Sequence, residues 1–146
     1  MPAITETVLV GTLDPVFATG STAALANNAL AVTAAYTPTT ANYLTAEVEF
    51  TGTFATAPTA GTGLSVWFLR AVDGTNYEDG GTAVTPTRGY DMVMPFAPIT
   101  TAQRVTRLVV VFAPGAIKVL VKNDGSGQSL SAGWGLKIRP LTRVAT

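Results

Sequence analysis

The feature that most restricts the fold of this chain is a period of two. In Leu44-Thr45-Ala46-Glu47-Val48-Glu49-Phe50-Thr51 the apolar side chains hold the even positions, and Thr or Glu holds the odd ones. Successive side chains of a strand point to opposite faces, so this segment is a strand with one face in a core and one in water. A helix of 3.6 residues per turn would scatter the same apolar residues around its circumference. The pattern returns in Ile117-Lys118-Val119-Leu120-Val121-Lys122, with both lysines outward, and in Trp134-Gly135-Leu136-Lys137-Ile138-Arg139. Trp134 shares its parity with Leu136 and Ile138 and belongs with them in the core. Pro140 has no N–H and is expected to stop that ladder. Weaker strand signals lie at residues 6–10, 29–36, 82–85 and 90–95.

Two segments break the alternation. Leu64-Ser65-Val66-Trp67-Phe68-Leu69-Arg70-Ala71-Val72 is apolar on both faces, and so is Val105-Thr106-Arg107-Leu108-Val109-Val110-Val111-Phe112. Such strands either sit at the centre of a sandwich beneath folded-over loops or offer one face to a partner. On the second alternative the interface residues are Trp67, Leu69, Leu108, Val110 and Phe112, with Arg104, Arg107, Lys118 and Lys122 as the neighbouring bases.

The connectors carry turn chemistry. Asp73-Gly74 and Gly80-Gly81 flank Thr75-Asn76-Tyr77-Glu78-Asp79. Pro114-Gly115 is expected to fold the strands on either side into a hairpin, and Asn123-Asp124-Gly125-Ser126-Gly127-Gln128 to join the next two in the same way. Thr59-Ala60-Gly61-Thr62-Gly63 is a further loop. Residues 25–35 are Ala-rich, but Val32, Thr33 and Asn27-Asn28 disfavour a helix there, leaving strand or loop. Eight or nine strands with a turn every 8–12 residues describe a β-sandwich or barrel, and eight is the jelly-roll count; the expectation is an all-β, antiparallel, jelly-roll-like β-sandwich of about eight strands. A chain of 146 residues forms one such domain, with residues 1–40 either built into the sandwich or reaching out as an arm.

Composition removes whole classes of chemistry. There is no Cys and no His, hence no disulfide, no thiolate nucleophile, no Ser-His-Asp triad and no imidazole metal ligand. Nine bases balance nine acids, which argues against electrostatically driven nucleic-acid binding. The mean hydropathy of +0.35 is high, yet no apolar run approaches the 18 residues of a membrane span. The start of the chain has neither a basic segment nor a signal-peptide pattern. The expectation is a structural or binding domain and not an enzyme, with no cofactor.

The zero net charge is a cancellation. Residues 1–80 carry seven acids and one base, Arg70, for a net −6, whereas residues 81–146 carry eight bases and two acids, for a net +6. Acidic strands of the first half can lie beside basic strands of the second. Alternatively, the asymmetry makes a dipolar surface that docks on a partner or on further copies.

Each candidate site has a plainer explanation beside it. Asp73, Asn76, Glu78 and Asp79 could ligate Ca²⁺, but they lack EF-hand spacing, and a loop whose Asp and Asn bond their own backbone while Tyr77 caps the core edge explains them better. The Gly-rich run at 124–128 has no following Lys-Ser/Thr, so it is not a phosphate loop. Glu47 and Glu49 lie on one solvated face instead of flanking a catalytic cleft. Trp67, Tyr77, Tyr90 and Trp134 would be the members of an aromatic sugar-binding platform, the mark of a carbohydrate-binding module.

Leu69-Arg70-Ala71-Val72-Asp73-Gly74-Thr75-Asn76-Tyr77-Glu78-Asp79-Gly80-Gly81 is followed by Pro86 and Arg88, then by Gln103-Arg104-Val105, by residues 116–128 and by Leu136-Lys137-Ile138-Arg139-Pro140. This pattern, over residues 64–140, resembles the capsid cement, or decoration, proteins of tailed bacteriophages, which have a jelly-roll fold. The resemblance implies a virion structural protein, made in the host bacterial cytoplasm. It would bind the outer surface of the capsid as a dimer or trimer and stabilise contacts between major capsid subunits. Neither nucleic acid nor membrane is an implied partner. A tail, collar or fibre component is the alternative within the virion.

Overall fold

The computed structural model describes residues 6–37, 45–110 and 115–145. The described residues contain nine strands and no helix: β1 (Glu6–Val10), β2 (Asp14–Phe17), β3 (Leu30–Val32), β4 (Thr45–Gly52), β5 (Gly63–Arg70), β6 (Met92–Pro95), β7 (Gln103–Val110), β8 (Ile117–Asp124) and β9 (Gly135–Ala145). β1 and β2 follow each other along the same side of β9. They act as one interrupted strand, so the nine strands fill eight places.

The pairing is nested. β5 pairs with β6, β4 with β7, β3 with β8, and β1/β2 with β9, all antiparallel. This is one long hairpin, and it is rolled up by two further pairings, β4 with β9 and β5 with β8. Rolling divides it into a first sheet ordered β1/β2-β9-β4-β7 and a second ordered β3-β8-β5-β6. That is the jelly roll, two sheets closed face to face. Residues 6–37 supply strands to both sheets, so they belong to the sandwich and not to an arm.

Rolling also explains where the expected hairpins fail. β7 and β8 are neighbours in sequence but lie in different sheets, as do β8 and β9. The connection through Gly115 and the run at 123–128 therefore cross between sheets instead of folding back. Pro114 itself lies outside the described residues. The crossing at 123–128 is tied down by Asn123, fully buried, whose Nδ2 donates to the carbonyls of Leu25 and Gln128. The side chains of Asn28 and Asn27 accept the amides of Gly125 and Gly127. Those amides are occupied by the fold and form no anion cradle.

β9 runs straight through Pro140. The carbonyl of Pro140 accepts the Gly11 amide at 2.8 Å, so its nitrogen faces the same way, toward the gap between β1 and β2. The missing N–H falls where the ladder has no rung to lose. Residues 82–85 form no strand, only a bridge between Gly81 and Val84. β2 had no clear alternating signal: its four residues include Pro15, and its register shifts between Pro15 and Phe17.

The core lies between the sheets. Ala46, Val48 and Phe50 of β4, with Leu136 and Ile138 of β9, meet Leu64, Val66 and Phe68 of β5 and Ile117, Val119 and Val121 of β8. Trp134 joins this core on its expected face, its ring 4.8 Å from that of Phe17 and its Nε1 donating to Ala23 O. One side of the sandwich is tied by Tyr36, whose hydroxyl donates to Asp14 at 2.7 Å. The other is tied by Arg107, which reaches from β7 to Val93 O of β6 at 2.9 Å.

Candidate functional site: a clasped loop and the β6–β7 edge

The outward residues of β5 decide what covers the second sheet. Ser65, Trp67 and Leu69 alternate with the core residues, and Trp67 lies in register with Leu120 of β8. Trp67, Leu69 and Leu120 form a second cluster on the outer face, packed with Leu30, Val32 and Tyr77. An exposed cluster of that size would be costly, so the 71–91 connection folds over it. Trp67 and Leu69 are only 4% and 1% exposed. They offer no free interface, which corrects the expectation that placed them against a partner. Gly80 shows how close the loop lies: a Cβ there would sit 3.0 Å from Leu69 and 3.3 Å from Leu120.

A clasp centred on Arg88 holds the loop. Its guanidinium donates to Glu78 at 2.6 Å, to both oxygens of Asp91 at 2.8 and 3.0 Å, and to the carbonyl of Phe68 at 3.0 Å. Bidentate, charge-assisted pairing of this kind is strong and geometrically specific. The hydrogen bonds to Asp91, ahead of those to Glu78, push the Arg88 pKa up from its ordinary value. Asp91 continues the sheet beyond the start of β6: its amide donates to Val66 O, and its carboxylate accepts the Phe68 amide at 2.6 Å. Trp67 Nε1 donates to Arg88 O at 3.2 Å, and the Tyr90 ring meets Trp67 edge-on. Lys118 lies 4.5 Å from the centre of the Tyr77 ring, a cation–π contact that closes the far rim.

The acidic loop is spent on itself. The Asp73 carboxylate accepts the amides of Asn76 and Thr75 and the Asn76 side chain, and the two backbone bonds lead in holding its pKa down at about 2. Glu78 belongs to Arg88. Among the described residues no group of three or more acids could hold a metal ion. Asp73 and Asn76 therefore form a self-bonded turn, while Glu78 is turned to Arg88. The aromatic platform is likewise dismantled, since Trp67 and Trp134 are buried in different clusters and Tyr90 alone of the four is exposed.

The first sheet presents a different outer face. β4 turns Thr45, Glu47, Glu49 and Thr51 outward, between basic positions of β7 and β9. Glu47 lies in register with Arg139 and pairs with it, the Nε–Oε2 distance being 2.7 Å. Glu49 stands between Lys137 at 3.8 Å and Arg104 at 3.5 Å. The −6 and +6 halves of the chain meet here as cross-strand pairs. Lys122 pairs with Asp124 inside its own strand.

One place left open is the edge where β6 and β7 approach. Leu108 is 65% exposed and Tyr90 is 55% exposed. Between them runs a groove of about 510 Å³, lined also by Met92, Val93 and Arg107. Arg104, well exposed, stands further along β7. The side chain of Val110 and the whole of Phe112 lie outside the described residues. The two-faced strand singled out Leu108, Arg104 and Arg107, whereas the sequence placed Tyr90 in an aromatic platform and not at this edge, and it did not show the role of Arg88. The hint for Arg88 was a lone base following the acidic run at 73–79.

No protein-family model matches the chain, and no curated protein matches it. Among the described residues no helix is long and apolar enough to cross a membrane.

Proposed function

We propose that this chain is a non-enzymatic structural protein of a tailed-phage virion, bound to the outer surface of the capsid and stabilising contacts between major capsid subunits. The reading rests on the residue pattern at 64–140 and on analogy with the viral capsid domains that use a jelly roll. The observation that carries it is the β6–β7 edge. Two large side chains, Leu108 and Tyr90, are exposed there, with Arg107 in the same groove and Arg104 further along β7, and aromatic and Arg side chains are enriched in protein-binding surfaces. The clasp supports it further, because a loop fixed before binding loses little entropy on docking.

The test is co-sedimentation with purified phage heads. The wild type is expected to pellet with heads at a copy number fixed by the icosahedral lattice. Leu108→Asp should weaken that binding at least tenfold, by replacing the groove's most exposed apolar side chain with a charge. Recovery of the protein in tail fractions alone would reject the capsid assignment.

A further inference from the structure

We infer that β1 is a self-association edge, through which two copies of this chain join antiparallel into one continuous sheet. The described strand edges point to this independently of the virion reading.

Edge strands are normally guarded against added strands by charge, Pro, shortness or cover. Three edges here are guarded. β3 has three residues, β6 ends on Pro95 and has Val93 O taken by Arg107, and β7 carries Arg104 and Arg107. β2 carries Pro15 and lies beneath the Tyr36–Asp14 bond. β1, Glu-Thr-Val-Leu-Val, carries one charge, Glu6 at its very end, and no Pro, and among the described residues nothing covers it and it pairs with β9 alone. Val8, Leu9 and Val10 are about half exposed, on both faces of the strand. Beyond Leu141, the described part of β9 pairs only with β1. Among the described residues the two form a two-stranded ribbon, an arrangement that gains stability from further strands.

The hydrogen-bonding parity names the occupant. Gly11 donates toward Pro140, so the odd residues Thr7 and Leu9 turn their amides to β9. The even residues Glu6, Val8 and Val10 then turn theirs to the open side. A strand with free positions 6, 8 and 10 is complementary to itself about a two-fold axis through Val8. Val8 pairs with its own copy, and Glu6 pairs with Val10 in both directions, which uses every free group. Isologous two-fold pairing is the commonest form of homo-oligomer, and a chain of zero net charge does not repel its copy. Two five-residue edges bury roughly half of a standard interface of ~1,600 Å², so association in the micromolar range or weaker is expected.

The test is sedimentation velocity of the full chain from about 5 to 500 μM, with amide exchange followed by NMR. The wild type should shift with concentration from the 15.1 kDa monomer toward a dimer, and the exchange of Glu6, Val8 and Val10 should slow over the same range. Thr7 and Leu9 should be protected at every concentration. Val8→Pro removes an N–H that β9 does not use and should abolish the shift. Should that variant fold poorly, Val8→Lys serves the same purpose by placing charge at the two-fold axis. A wild type that stays monomeric at 500 μM would overturn the inference. So would a dimer indifferent to both substitutions, or one whose concentration-dependent protection falls on another strand.

Discussion

The two sheets of this jelly roll solve the problem of their outer faces differently. In the first sheet, β4 sends Thr45, Glu47, Glu49 and Thr51 outward, and β9 answers with Lys137 and Arg139. That face can meet water directly. In the second sheet, β5 sends Ser65, Trp67 and Leu69 outward against Leu120. That face cannot, and the chain uses residues 71–91 to cover it. Whether a strand alternates cleanly therefore governs how much of the remaining chain is left for other work. The apolar cluster of that face is covered by the chain itself. Exposed apolar side chains are left instead at the edges, among them the β6–β7 groove and strand β1.

The largest effect on this contrast should come from Arg88→Met. It leaves Asp91 and Glu78 without their cation and frees Phe68 O. With the site about one-third exposed, the cost should be roughly 2 kcal/mol in urea unfolding. Proteolysis should then cut within 71–91 while sparing the first sheet. If the variant is as stable and as resistant as the wild type, the clasp is not what holds the cover.

A smaller effect is expected from the ladder on the first sheet. A double-mutant cycle on Glu47→Gln and Arg139→Gln should give a coupling of about 0.5 kcal/mol, as for other half-exposed pairs. It should shrink as salt shortens the Debye length below about 8 Å. A coupling above about 2 kcal/mol would make this face as dependent on one contact as the clasped face, and the contrast would disappear.

The smallest effect concerns Asp73, at the outermost turn of the cover. Its pKa is held at about 2, below the ordinary 3.8. The depressed value means that the ionised form favours the folded turn. That contribution is complete above pH 3.8 and is lost as the pH falls toward 2. The amide shifts of Thr75 and Asn76 should titrate together in this window. Titration near pH 4 would show that the turn does not bind the carboxylate.

Much of the architecture is legible in the residues, because alternation in β4, β8 and β9 depends only on the period of a strand. Lys118, Lys122, Lys137 and Arg139 face outward and Trp134 faces inward, as their parity requires. Parity does not tell which strands pair. Gly115 and the run at 123–128 look like hairpin turns because local turn chemistry is the same whether a chain folds back or crosses to another sheet. Pro140 looks like a terminator because the gap between β1 and β2 that accommodates it lies some 130 residues away in sequence. The two-faced strands narrow the choice to a covering loop or a partner without deciding it. For β5 the decision comes from Arg88, which joins its near neighbour Asp91 to Glu78 and to the carbonyl of Phe68, two partners that only the fold brings to it. For β7, Leu108 is exposed, and among the described residues no loop covers it.

The most direct test compares the two tryptophan indole N–H groups in one NMR spectrum. Trp134 Nε1 is bonded to Ala23 O in the central core, and Trp67 Nε1 to Arg88 O beneath the loop. Both should exchange slowly in the wild type, and in Arg88→Met the Trp67 signal alone should lose protection. Fast exchange of Trp67 in the wild type, or equal loss of protection at both indoles in the variant, would contradict the account of a second face closed by its own clasped loop.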